Sequence, residues 1–372
     1  MNIGVSAWRL YGQRLGIGRY IEYLLKYWNV MLAPSDRVTL YVHEPFDPSA
    51  LNLSDAFTTR LVRPKLTNAL WENLLLPRAA ADVDVLLGPS YTLPVLYRRP
   101  SVVVVHSVDE GQPGAHAWWH KLTYTQKYRL SARRADKVIV SSHSTAERVH
   151  TFYGIPRDRL EVIWHGADEA FKPIEDEELL RQTRIRYFGD NRPYILFVGG
   201  LSTRRNVPML MEAFSRLRRR DKIPHGLLLV GSNRGHIPLA ELTARLDLAG
   251  SVVQTDGAFR EHRELVSIYN AADLFVLPSA SEGFSLTLAE ALSCGTPVVT
   301  VNRASLGEVA YGYAMTIEDP DLEALSDAMR RVLTDPDLRR TLRLKGLERA
   351  RDLRWDRTAR RTLDVLREAA AQ

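Results

Sequence analysis

The sequence predicts an α/β protein built from two doubly wound domains. Three observations carry this. Short apolar runs of strand length alternate with longer helical stretches along all 372 residues, as they do in parallel sheets with helices on both faces. Most of these runs are apolar on both faces, the mark of a buried parallel strand. The chain is also too long for one typical domain.

In order, the first half offers strands at Asn2–Ser6, Val38–Val42, Asp84–Leu87, Val102–Val105, Val138–Val140 and Leu160–Ile163. The second half offers Tyr194–Val198, Leu227–Val230, Val252–Gln254, Leu274–Leu277 and Val298–Val301. A charged segment bracketed by Pro173 and Pro193 reads as the boundary. The expected division is residues 1–170, a linker at 171–193, and residues 194–352, with a C-terminal helix at 353–372 crossing back to the first domain. Ligands on open parallel sheets bind beyond the carboxyl ends of the strands, so two such domains facing each other would enclose a cleft.

Composition narrows the function. The chain is 45% hydrophobic and 25% charged, as soluble globular proteins are. Its one cysteine, Cys294, excludes an internal disulfide, suits a reducing cytoplasm and reads as an inert buried thiol. No apolar run is long enough to span a membrane, and the start of the chain runs straight into a strand with no signal peptide. The net charge of +6 suits an anionic ligand or an acidic membrane surface. Its arginines concentrate in Arg216–Lys222 and Arg339–Arg361, both read as solvated helix faces. No zinc-finger spacing, basic-aromatic RNA motif or polybasic tail points to nucleic acid.

The most informative stretch runs from Ser281 to Thr300, where Glu282 and Glu290 stand eight residues apart across a strand-to-helix turn. Gly283 lets the backbone approach a ligand, and the N–H groups of Phe284, Ser285 and Leu286 would point outward at the helix start, where a phosphate is favoured. Carboxylates on either side of a phosphate make sense if they accept hydrogen bonds from sugar hydroxyls. Eight helical residues span roughly 12 Å, a fair match to the two sugars of a nucleotide-sugar. An ordinary amphipathic helix with an acidic first turn fits the same residues.

Three further loops leave strand ends. The stretch from Trp8 to Tyr20 holds Gly12, Gly16 and Gly18. It lacks the third glycine of a dinucleotide-binding loop, and no acidic residue ends the next strand, which disfavours a nicotinamide oxidoreductase. His106 leaves a buried strand at the ligand edge, where its ring can bond a hydroxyl or assist proton transfer. Gly199-Gly200 is followed by Arg204, Arg205 and a helix opening at Asn206 and Pro208, an arrangement suited to a diphosphate. Phe259 lies either near a base or in the core. Asp82-Val-Asp84 looks like a metal-binding acid pair but introduces a strand rather than ending one. The aromatic and basic residues from Trp118 to Arg129 read as a packed helix with basic outer positions, or as a membrane-surface helix.

Taken together, these loops resemble the retaining glycosyltransferases of family 4, which have the two-domain GT-B fold. The resemblance covers nearly the whole chain. Its strongest part is Pro278–Thr300, the family's Glu-x7-Glu segment. It continues in Gly16-Ile-Gly-Arg-Tyr20, Leu70-Trp-Glu72 with Leu76-Pro77, and Arg134–Ile139 leading to Ser141–Ser144. Tyr153-Gly-Ile-Pro156, Asn302–Ser305 with Glu308-Val309, and Trp355 with Thr358-Ala359 also match. The resemblance implies that Glu290 binds ribose hydroxyls and Glu282 the donor sugar. It gives the diphosphate to the N–H groups of Phe284, Ser285 and Leu286 with Arg205, places His106 on the sugar's hydroxyls, and makes Gly16 line the donor phosphate and acceptor entrance.

Departures from the family pattern stand beside these matches. Gly200 occupies a position where the family often has arginine and Arg205 one where lysine is common, and Arg204 is expected to share its load in binding phosphate. Ser285 and Thr287 replace a frequent glycine and proline. Ser107 follows His106 where aspartate is common, and His165-Gly-Ala-Asp168 replaces the usual Asn-Gly-Val-Asp.

The expected activity is metal-independent, cofactor-free sugar transfer from a nucleotide-diphosphate donor, with GDP-mannose preferred, to a glycan, lipid-linked or small acceptor. The expected location is the cytoplasm, at the inner face of the membrane if the acceptor is lipid-linked. A nucleotide-sugar epimerase, a glycan phosphorylase of the same fold and a non-catalytic glycan-binding subunit are the rivals.

Overall fold

A computed structural model describes residues 1–10, 16–46, 48–108, 118–233, 235–257 and 262–371. The chain divides into two compact units. Unit 1 comprises Met1–His165 and Trp355–Gln372, and unit 2 comprises Gly166–Arg354. Segment 171–193, expected as a linker from its charge and prolines, belongs to unit 2. It carries the helix Glu177–Phe188, capped by the Asp176 carboxylate at the N–H of Leu179. Its charges lie on the outer face of a helix that buries Leu180 and Thr183.

Unit 1 holds seven strands: β1 Asn2–Ser6, β2 Arg37–Val42, β3 Phe57–Leu61, β4 Val85–Gly88, β5 Ser101–Val105, β6 Lys137–Val140 and β7 Leu160–Val162. They form one parallel sheet in the order β3-β2-β1-β4-β5-β6-β7. Unit 2 holds β8 Tyr194–Val198, β9 Gly226–Val230, β10 Val252–Thr255, β11 Leu274–Leu277, β12 Val298–Val301 and β13 Met315–Ile317, in the order β10-β9-β8-β11-β12-β13, again all parallel. β5, β8 and β9 are buried at every position, which is why they read as unbroken apolar runs. β3 and β13 escape that reading. Both are edge strands, with burial that alternates in Phe-Thr-Thr-Arg-Leu and is only partial in Met-Thr-Ile.

Each sheet changes winding direction once, between β1 and β4 in unit 1 and between β8 and β11 in unit 2. At such a switch point the loops leaving the two strands diverge and open a crevice beyond their carboxyl ends. The loop after β1 carries Gly16, and the loop after β4 carries Pro89. In unit 2 the loops are Gly199–Asn206 and Pro278–Ser285. Gly16, Gly200, Arg204, Arg205 and Glu282–Ser285 therefore lie on switch-point loops, whereas His106 follows β5.

The helix Trp355–Ala370 packs in unit 1. Trp355 is buried against Tyr20, Tyr23 and His165. Trp28 Nε1 donates to the Ala359 carbonyl at 2.9 Å, and Thr358 Oγ1 donates to the Trp164 carbonyl at 2.7 Å.

The arginine runs are largely the solvated faces expected of them, with Arg216, Arg219, Arg220, Arg340, Arg360 and Arg361 exposed, but three arginines of the second run also serve backbone carbonyls. Arg339 donates to the carbonyls of Val332 and Leu333, and Arg343 to Gly295. Arg349, itself buried, donates to Glu308 and Val309. These carbonyls lie at helix C-termini, where backbone acceptors lack intrahelical partners and the dipole favours a cation. Part of the positive charge thus serves unit 2 as helix caps. Asp84, half of the apparent acid pair, accepts the N–H of Asn2 at 2.7 Å and anchors the start of β1.

Candidate active site

In unit 2 the two switch-point loops are tied to each other. Asn206 is the N-cap of the next helix, as expected, but takes left-handed backbone angles (φ 53°) and donates its side-chain amide to the Pro278 carbonyl at 2.8 Å rather than making a capping bond. The Ala280 N–H donates to the Arg204 carbonyl at 3.0 Å, and the Arg204 guanidinium reaches the Ser281 carbonyl. The helix Val207–Arg220 then opens with Pro208 in its first turn.

This stitching brings Arg205 and Glu282 together. Arg205 Nε lies 3.0 Å from Glu282 Oε1, and Arg204 Nη1 lies 3.5 Å from Oε2. Ser279 Oγ adds a hydrogen bond to Oε1 at 3.1 Å, and Ser305 Oγ holds the Glu282 backbone carbonyl at 2.8 Å. The Glu282 side chain is 9% exposed, whereas Arg205 and Arg204 are 22% and 43% exposed. The carboxylate is therefore fixed in place while the cations keep an outward face.

Gly199 explains how Arg205 reaches this position. Its φ is +146°, and a Cβ there would lie 1.8 Å from Arg205 Nη1. The guanidinium thus lies across the bare Cα, with Nε toward Glu282 and Nη1 toward the glycine turn. Gly200 is exposed beside it.

The helix Leu286–Cys294 begins next to Glu282. Ser285 is its N-cap, and its hydroxyl accepts the Leu288 N–H at 3.2 Å. Gly283 and Phe284 are half-buried in the turn before it. Glu290 lies within the helix, 1% exposed, and its Oε2 accepts the Tyr269 hydroxyl at 2.9 Å. Sequence reasoning missed the roles of Tyr269 and Ser279; only their nearness in space reveals them. Cys294 is buried, which raises its thiol pKa and keeps it protonated. Phe259 lies outside the described residues.

Gly16 and His106 belong to unit 1. Gly16 is exposed and precedes the helix Ile17–Met31, with φ 55°. His106 is half-buried at the end of β5, and Tyr20 from that helix meets its ring edge-on at 4.8 Å. His106 Nε2 is 2.8 Å from the Pro89 carbonyl and Nδ1 is 3.3 Å from His165 Nε2. Both ring nitrogens thus have protein partners, so a sugar hydroxyl can bond this ring only by displacing one of them. Removal from water, with Arg9 nearby, pushes the His106 pKa down to about 4, and burial takes His165 well below the usual histidine range. Among the described residues no three His, Cys, Asp or Glu side chains converge as a metal-binding group.

Two family models divide the sequence. Residues 16–171 match Glycosyltransferase Family 4, and residues 181–349 match Glycosyl transferases group 1. The chain belongs to the group 1 glycosyltransferases. This glycosyltransferase is 27% identical over 284 residues to the O-antigen chain mannosyltransferase B of Escherichia coli, an alignment covering 75% of this chain and 72% of that protein. It is 31% identical over 242 residues to a D-inositol 3-phosphate glycosyltransferase of Corynebacterium urealyticum, covering 63% of this chain and 57% of the relative. Among solved structures, Anabaena HepE in complex with UDP and glucose superimposes with a TM-score of 0.79 at 15% identity, over 98% of this chain and 99% of that one. The fold is GT-B.

Proposed function

We propose that this glycosyltransferase moves a sugar from a nucleotide-diphosphate donor to an acceptor hydroxyl with retention of anomeric configuration and without a metal ion. One observation carries the reading: a carboxylate gripped by Arg205 stands at the unit 2 switch point, immediately before the N-terminus of the helix Leu286–Cys294. As the bond between the anomeric carbon and the diphosphate oxygen breaks, its electron pair goes to the diphosphate. Arg205, Arg204 and the helix N-terminus are cations and dipoles set in advance for that charge. Glu282 reads a donor-sugar hydroxyl and offsets the positive charge growing on the ring. Glu290 takes the ribose. The acceptor oxygen then attacks the face the diphosphate leaves and gives its proton to a diphosphate oxygen.

Mannose from GDP-mannose is the preferred donor, supported by the similarity to the O-antigen mannosyltransferase. The expected result is that GDP and GDP-mannose raise the melting temperature more than UDP or ADP counterparts, since a ligand stabilises in proportion to occupancy. NMR of the product should show the donor's anomeric configuration, formed equally well in EDTA. No nucleotide-dependent shift would overturn the reading, and an inverted product would overturn the mechanism.

A lipid-linked glycan acceptor is supported by unit 1. Leu70 and Leu74 are one turn apart and 49% and 54% exposed; Leu96 is 75% exposed. The Asn73 side chain accepts the Val95 N–H at 2.9 Å, which brings Leu96 alongside that turn. Lys127 bridges to Glu72, Arg134 donates to the Tyr97 carbonyl, and Leu130 is exposed between them on the same helix. Exposed leucines among cations suit an anionic bilayer at the cytoplasmic face. The enzyme should sediment with anionic vesicles and not with phosphatidylcholine vesicles, and Leu74→Ser with Leu96→Ser should lose most of that binding. Equal binding to both vesicle types would remove the charge argument.

A further inference from the structure

His165 stands where the family pattern has asparagine, and the structure gives it a use. It leaves β7 two strands away from His106 at the end of β5, and the two rings meet in front of the sheet at 3.3 Å between His165 Nε2 and His106 Nδ1. The second nitrogen of His106 decides which atoms carry hydrogen. The Pro89 carbonyl can only accept, so His106 Nε2 must be the donor in that 2.8 Å contact. With that ring neutral, Nδ1 is a lone-pair acceptor, and His165 Nε2 must carry the hydrogen between them. The His106 tautomer thus fixes that of His165.

The surroundings keep both rings in place. His165 is 4% exposed and lies parallel to Trp355, at 8° with centroids 5.7 Å apart. Tyr20 closes on both imidazoles at 4.8 and 4.9 Å. Pro89 is set by the loop after β4. That loop folds back so tightly that a Cβ on Gly88 would lie 2.3 Å from the Thr92 carbonyl oxygen. The Ser141 hydroxyl holds the His106 backbone carbonyl at 2.9 Å.

We infer that His165 is a positioning residue: the Pro89 carbonyl sets His106 as the Nε2–H tautomer, and the His165 Nε2–H, bonded to the Nδ1 lone pair, fixes the orientation of that ring at the ligand edge of the first sheet. An effect on turnover rests on the reading that His106 acts in sugar transfer; the positioning does not. The test uses the full chain labelled with 15N-histidine. Long-range proton–nitrogen NMR should show a protonated Nε2 and a bare Nδ1 on His106 in the wild type and in His165→Gln, whose amide N–H can replace the donor. His165→Phe keeps the stacking on Trp355 but removes the donor. There the His106 Nδ1 signal should move downfield toward that of an unbonded lone-pair nitrogen, and kcat should fall about tenfold with the donor KM unchanged, while His165→Gln restores most of it. An unchanged His106 Nδ1 signal in His165→Phe would overturn the inference. A shifted Nδ1 signal with unchanged kcat would uphold the positioning and remove His106 from the transfer reaction.

Discussion

Glu282→Gln is expected to lower kcat by about a hundred- to a thousandfold, the usual cost of losing one preorganised electrostatic contact to a transition state, while leaving nucleotide affinity within a few-fold of wild type. The two effects separate because the carboxylate and the arginines face different parts of the donor. Loss of the negative charge matters most when the sugar acquires positive charge, which happens only on the way to the transition state. Arg205 and Arg204 remain to hold the diphosphate. Glutamine keeps an oxygen for Ser279 and Arg205 and the backbone ties of Ala280 and Asn206 are untouched, so the stitching between the loops after β8 and β11 survives. Both arginines are partly open to solvent, which limits the stability loss to on the order of 1 kcal/mol. Steady-state kinetics and calorimetry with the nucleoside diphosphate check both halves. Wild-type turnover in this variant would take Glu282 out of the chemistry.

Gly199→Ala is expected to behave as a binding mutation. The added methyl would occupy the place of Arg205 Nη1, only 1.8 Å away, and the backbone there has a φ of +146° that side chains avoid. The guanidinium must leave, and its charge-assisted hydrogen bonds to phosphate, about 1.5–3 kcal/mol, go with it. Nucleoside-diphosphate affinity should therefore fall about 10- to 100-fold. Arg205→Ala should cost a similar amount, and the double variant little more than either, because both changes remove the same interaction. Additive losses would show that Gly199 acts on something other than Arg205.

The buried centre of each sheet was legible because strands such as β8 and β9 are apolar at every position, and a parallel strand covered on both faces needs that composition. β3 and β13 were not, because an edge strand half open to solvent needs no such run. At the site, Gly199, Arg205, Glu282 and Glu290 each stood out within a loop of recognisable character. That Arg205 clasps Glu282 was not legible, since the contact joins loops 77 residues apart in sequence and depends on β8 and β11 being neighbours. Asn206 was read correctly as the opening of a helix, but its side-chain partner was not legible, for a related reason. Its residue type suits a helix cap, but its amide was recruited by the Pro278 carbonyl of the adjacent loop. His165 carried a faint signal, a second histidine leaving the same sheet edge as His106, which only the strand order turns into a contact.

The return of the chain to its first unit sets an order of assembly. Trp355 and the helix it begins leave the ribosome after every residue of 166–354. At about 5–20 residues per second that delay is on the order of ten to forty seconds. Throughout it, Tyr20, Tyr23 and Trp28 lack the helix that covers them, while the nascent second unit has everything it needs to close. The earlier half of the polypeptide is thus the later half to mature, and until then its unfinished aromatic face is exposed to whatever chaperone or neighbouring chain meets it first.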